Sequence, residues 1–322
     1  MTPSKTRFEL KSGLATREAF GRTLTALGRE NQDVVVCDAD LSKSTFTSLF
    51  AKEFPERFFS CGIAEANMIS IGAGLAAGGK IPFVSSFSCF AVNKGFEQLR
   101  VTVAYPGVNL KLVGTHSGIS IGEDGPSQMS IEDLGLMCSL PGFVVLSPAD
   151  EVSMAALVRA AAAHVGPVFI RAGRMKAPVI YPRDQVFTVG HAVELIEGTD
   201  VTIIATGLLV AEAIRAADAL EAEGVSARVV DIHTIKPLDR EAIARAAQET
   251  AAIVVAEEHL IDGGLGVRVA QVVAETCPCV MEFVGIRNTY AESASPEQLL
   301  DKYGLVSRDV IAAVRRALAR KG

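Results

Sequence analysis

Tryptophan is missing from this chain, and aromatic residues make up only 6% of it. Basic runs are missing as well, and the formal net charge of −6 argues against a nucleic-acid surface. No uncharged apolar run reaches the length needed to cross a bilayer. The first thirteen residues, MTPSKTRFELKSG, lack the apolar core of a secretory leader. The expectation is a cytoplasmic protein with neither membrane nor nucleic acid as partner. The six cysteines, at 37, 61, 89, 138, 277 and 279, are scattered through apolar segments. Only Cys277 and Cys279 are close, and C-P-C is not a zinc spacing, so free thiols in a reducing compartment are expected. Neither Thr206-Gly207 nor Gly263-Gly264-Leu265-Gly266 has the flanking residues of a nucleotide cradle.

What is present is an alternation of short apolar strands and amphipathic helices over 322 residues, 49% of them hydrophobic. That suffices for two α/β domains of ordinary size. Strands are predicted at 34–37, 81–84, 110–113, 143–146 and 168–171, with helices at 16–29, 93–103, 131–139 and 150–164 between them. Residues 174–189, with Pro178, Pro182, several charges and little periodicity, read as a linker after a first domain at 13–173. Residues 1–12 read as an N-terminal extension. Strands at 191–196, 201–205, 227–232, 253–256 and 280–284, with helices at 208–223, 239–248, 265–275 and 308–320, make a smaller second domain at 190–322.

One stretch stands apart. In FSCGIAEANMISIGAGLAAGG, residues 59–79, a single acid, Glu65, precedes about fourteen uncharged residues rich in Gly and Ala. The run predicts a buried helix with Glu65 in its first turn. An acid there is favoured by the helix dipole alone. The alternative is a desolvated carboxyl held for a ligand nitrogen, since burial favours its protonated form.

Three further groups can carry chemistry. The loop 114–128 holds eight Gly, Ser or Thr residues together with His116, Glu123, Asp124 and Gln128 at the end of a strand. Loops that long inside a compact domain are functional or mobile. Phe87 and Phe90, three apart at another strand end, are core residues or a shelf for a flat heterocycle. Arg17 at a helix start and Arg171 at a strand end can form a phosphate clamp.

Taken in order, these residues resemble the C-terminal half of a transketolase. The likeness runs through Thr16-Arg17, Asp40-Leu41-Ser42, Gly62-Ile63-Ala64-Glu65, Phe87 with Phe90, Thr115-His116 and Gly122-Glu123-Asp124-Gly125-Pro126. It continues in Leu140-Pro141-Gly142, Ser147-Pro148-Ala149-Asp150, Thr234 through Asp239, and Glu257-Glu258-His259 with Gly263 through Gly266. The resemblance implies a parallel pyrimidine-binding sheet followed by a smaller transketolase C-terminal sheet. It implies that Glu65 bonds the pyrimidine of thiamine diphosphate, that Phe87 and Phe90 stack on that ring, and that Asp40, Leu41 and Ile63 lie near it. It further implies that Arg17, Ser44 and Arg171 hold a sugar phosphate, and that His116, Asp124 and Gln128 meet the sugar, His116 also moving protons. Asn93 stands where an aromatic often joins the stack, and Gln128 where a histidine is frequent.

Family members bind the diphosphate and Mg²⁺ through a G-D-G…N motif, and no G-D-G occurs here. The resemblance therefore implies that this chain holds no metal ligands. It would be the second subunit of a split transketolase, sharing thiamine diphosphate with a G-D-G-bearing partner in an α2β2 assembly whose partner holds the Mg²⁺. The implied reaction passes a two-carbon ketol unit from a ketose phosphate to an aldose, of the kind found in pentose phosphate metabolism. The alternatives are a deoxyxylulose phosphate synthase-like chain, a chain like the β subunit of a 2-oxoacid dehydrogenase, and a non-catalytic regulatory subunit.

Overall fold

The computed structural model describes residues 8–321. The first seven positions of the expected N-terminal extension, and Gly322, lie outside the described residues. From edge to edge the larger sheet runs Thr234–Lys236, Val144–Leu146, Val168–Arg171, Lys111–Thr115, Ile81–Phe87, Val34–Asp38, Phe58–Ser60. Its members are parallel except Thr234–Lys236, which pairs antiparallel with Val144–Leu146. Val34–Asp38, Lys111–Thr115 and Val168–Arg171 are buried at every position, as continuous apolar strands with both faces covered should be. A five-stranded sheet follows, ordered Val280–Ile286, Ala252–Leu260, Val201–Ala205, Ala227–Asp231, Val193–Ile196, with only Val193–Ile196 antiparallel.

Several elements depart from the sequence reading. The polar stretch after Asp40, for which no helix was predicted, is a short helix, Ser42–Thr45, followed by Ser48–Glu53. Buried Asp38 organises it, accepting from the Leu41 amide at 2.7 Å and from the Thr45 and Thr47 hydroxyls at 2.8 and 2.9 Å. Part of the expected linker is a strand, Lys176–Pro178, paired antiparallel with Ser12–Ala15. The helix expected at 93–103 starts earlier, at Ser88, and its last stretch, Leu99–Ala104, is a π-helix.

Glu65–Ala77 is helical but only half buried. Glu65, Met68, Ile69, Gly72 and Ala73 form the buried stripe, at the spacing of one helix face. Asn67, Ser70, Ile71 and Gly74 face solvent, and the preceding Ile63 is 80% exposed. The absence of charge, read from sequence as full burial, instead leaves an uncharged outer face. Val101 and Tyr105, on the segment packed beside this helix, are exposed as well. None of the described helices is long and apolar enough to cross a membrane.

Candidate functional site

The parallel strands of the larger sheet deliver Asp38, Phe87, Thr115 and Arg171 at their C-terminal ends, the edge where open α/β sheets bind ligands. Just past Thr115, His116 adopts a left-handed backbone, φ 58°, and is 2% exposed. Arg17, in the first turn of helix Thr16–Glu30, donates from Nη1 to the Ser44 carbonyl at 2.7 Å and to His116 Nε2 at 3.1 Å. Arginine only donates, so Nε2 is the acceptor. The ring proton then sits on Nδ1, 2.9 Å from the Thr115 hydroxyl, which in turn donates to the Ser86 carbonyl at 3.3 Å. His116 is thereby held as the neutral Nδ1–H tautomer. Burial, reinforced by the Arg17 and Arg174 charges, pushes it down to about 3.

The His116 ring stacks on Phe87 with centroids 3.7 Å apart, and Phe87 stacks on Phe90 at 5.7 Å with the planes 9° apart. Glu65 opens its helix 4% exposed, and its ionic neighbour is Lys94, whose Nζ lies 3.6 Å from Oε2. Lys94 was not singled out from sequence, and its i,i+4 spacing from Phe90 was the available signal. This set fits the pyrimidine half of thiamine diphosphate: an aromatic shelf, with a carboxyl that has no hydrogen-bond partner among the described residues.

The loop 114–128 is not loose. Ile119 and Ile121, the ends of a 3-10 turn, are fully buried in the core formed with the second half of the chain, and a second 3-10 turn follows at Pro126–Gln128. The Ser120 amide donates to Glu258 at 2.6 Å. Gly118 has φ 83°, and a Cβ there would lie 2.2 Å from the Glu258 carboxylate, so only glycine fits. Asp124 is exposed, and near enough to favour the charged form of Arg17; Gln128 is half-buried.

Not every predicted residue joins the group. Ser44 contributes its carbonyl to Arg17 rather than its hydroxyl. Asp40 is exposed with φ 64°, Leu41 is half-buried, and Ile63 points into solvent. Arg171, expected in the phosphate clamp, is held elsewhere. Its Nε donates to Asp133 at 2.9 Å and its Nη2 to the Ser130 and Glu258 carbonyls at 3.2 and 2.9 Å. Burial is the largest influence on Asp133 and opposes its charge, but Arg171, His259 and the Ser88 hydroxyl together hold that carboxyl below its usual range. Arg171 is thus a buried ion-pair partner, not half of a phosphate clamp. The second cation beside Arg17 is Arg174. Its charge, after burial itself, depresses both Arg17 and His116, while its Nη1 bonds Glu123 Oε2 at 3.0 Å and the Ile121 carbonyl. The signal for Arg174 was its place just beyond the strand end, after Gly173.

A stability consequence follows from the buried histidines. Burial lowers His116 to about 3 and His233 to about 4, against about 6.5 for an exposed histidine. The unfolded chain therefore binds protons that the folded chain refuses. Their effect on stability is nil above about pH 6.5 and grows as pH falls towards the folded values. Urea midpoints measured at stepwise lower pH should fall, and a His233→Gln variant should fall by about 1–2 kcal/mol less at pH 5. Parallel curves for the two proteins would exclude His233 as a source.

Residues 12–180 match the family model described as transketolase, pyrimidine binding domain, and residues 190–310 the one described as transketolase, C-terminal domain. The chain is similar to a 6-deoxy-6-sulfo-D-fructose transketolase subunit of Clostridium sp. (strain MSTE9), 40% identical over 305 residues that cover 95% of each protein. It is 38% identical to the Homo sapiens transketolase over 323 residues, 99% of this chain and 51% of that protein. It therefore spans about half the length of the mammalian transketolases it matches. A solved structure described as a split gene transketolase, inactive beta4 tetramer, superposes with a TM-score of 0.91 at 50% identity, covering 96% of this chain and 100% of that one.

Proposed function

The chain belongs to the transketolase family, and from that premise we propose that it is the C-terminal subunit of a split transketolase, carrying half of a thiamine diphosphate site. The reading rests on one observation: Glu65, the Phe87–Phe90 stack, and the Arg17–His116 pair gather at one edge of the larger sheet. When bound, thiamine diphosphate supplies the electron sink that lets a ketose carbon–carbon bond break. Glu65 holds the pyrimidine ring nitrogen, and Phe90 with Phe87 orients the ring. Neutral His116, its Nδ1 proton fixed by Thr115, offers Nε2 to a sugar hydroxyl once Arg17 turns to the substrate.

The anionic end of the donor falls to Arg17 and Arg174. The buried Arg17 Nε has no hydrogen-bond partner among the described residues, which suits an anion that completes it. Phosphate and sulfonate both satisfy such a clamp, so a sulfonated ketose belongs in the donor panel beside xylulose 5-phosphate. Arg174→Gln should raise KM for xylulose 5-phosphate roughly 10–100-fold with kcat little changed, since the clamp acts alike in ground and transition states. An unchanged KM would remove Arg174 from the clamp.

The uncharged outer face of Glu65–Ala77 supports docking of a partner that brings a G-D-G…N motif, the diphosphate contacts and Mg²⁺, as α2β2. The deciding experiment mixes the chain with such a partner, thiamine diphosphate and Mg²⁺, and follows ketol transfer from xylulose 5-phosphate to ribose 5-phosphate. Transfer by the mixture and by neither chain alone is the expected result. Activity of this chain alone would refute partner dependence. Consumption of pyruvate in place of a ketose phosphate would reassign the reaction to another thiamine enzyme.

A further inference from the structure

On the reading that Glu65 and the phenylalanine shelf receive an aminopyrimidine, we propose that Lys94 caps that shelf, holding the heterocycle's place until the ring enters and displaces it. Phe87 is covered by His116 at 3.7 Å and stacked with Phe90 at 5.7 Å, so the half-buried Phe90 ring is what remains for a flat ligand. The Lys94 Nζ lies over that ring, 4.7 Å from its centroid. The same Nζ stands 3.6 Å from Glu65 Oε2. One ammonium therefore engages both groups assigned to the pyrimidine. A ring stacked on Phe90 and bonded to Glu65 claims the volume that this ammonium fills.

The placement follows from the helix. Phe90 and Lys94 are one turn apart on Ser88–Gln98 and share a face. The Lys94 side chain is 54% exposed, so its flexible stem can swing into water without repacking the core. Glu65 is 4% exposed, and a carboxylate so placed is costly without a partner. Lys94 supplies that partner, and a ligand nitrogen bonded to Glu65 would take its place. Ligand entry is then an exchange of one contact set for another.

The test uses the uncharged pyrimidine half of thiamine, 4-amino-5-hydroxymethyl-2-methylpyrimidine, titrated into the full chain by ligand-observed NMR. Lys94→Ala should bind about five- to tenfold tighter than wild type, the combined strength of an exposed ion pair and a cation–π contact. The gap should narrow as salt is raised, because screening weakens the Lys94–Glu65 pair. Glu65→Gln should bind more weakly than wild type. Equal or weaker binding by Lys94→Ala, with Glu65→Gln still weakened, overturns the cap and leaves the pyrimidine reading standing. No binding by any variant overturns both. An unchanged urea midpoint for Lys94→Ala, as expected of a half-exposed side chain, ties any affinity change to the site.

Discussion

Glu65→Gln should abolish ketol transfer in the assembled enzyme, lowering kcat by about 10³-fold or more while the subunit still folds and assembles. The amide matches the carboxyl in shape, so the first turn of Glu65–Ala77 and the stripe behind it, Met68, Ile69, Gly72 and Ala73, are undisturbed. What changes is proton traffic. A carboxyl can bond a ring nitrogen with its proton shared along the contact, whereas glutamine offers fixed donors and a weak acceptor. The loss should appear in single-turnover rates rather than in KM, because the interaction matters most where charge moves. A variant within about tenfold of wild type would remove Glu65 from proton transfer and return it to the ordinary role of an acid at a helix start.

Arg171→Met should be strongly destabilising, costing about 3–5 kcal/mol in urea unfolding. The substitution leaves Asp133 with no guanidinium, at a site where both side chains are almost wholly shielded from water. The Ser88 hydroxyl, 2.9 Å from Asp133 Oδ2, is a neutral partner and cannot replace a charge. It also frees the Ser130 and Glu258 carbonyls that Nη2 now satisfies. A double variant, Arg171→Met with Asp133→Leu, should recover part of the loss, since removing both charges avoids the unpaired one. If Arg171→Met instead kept wild-type stability and lost affinity for phosphorylated donors, the clamp expected from sequence would be reinstated.

These two residues show what sequence could and could not convey. Glu65 was conspicuous because a lone acid interrupts an apolar run, a contrast visible in one dimension. Arg171 and Arg174 are both arginines at a strand end, three residues apart, and nothing local distinguishes them. Their difference is set by Asp133, 38 residues away in the chain, which the fold brings against Arg171 alone. Lys94 was passed over for the same reason: its meaning lies in Glu65, on a different helix. The alternation of strands and helices was legible because parallel strands buried on both faces carry continuous apolar runs. The half-exposure of Glu65–Ala77 was not, because an uncharged exposed face has the same composition as a buried one. Short pieces such as Ser42–Thr45 and Thr234–Lys236 carry too few residues for a period and owe their form to distant contacts.

The Thr234–Lys236 strand closes the outer edge of a sheet whose other members all precede residue 172. A polypeptide emerging from the ribosome therefore completes most of the larger sheet while Val144–Leu146 is still a bare border. For the time needed to add some sixty more residues, its amides and carbonyls are open to any passing strand. The second half of the chain thus covers an edge of the first half's sheet, and a fragment cut between the two sheets would leave that border open.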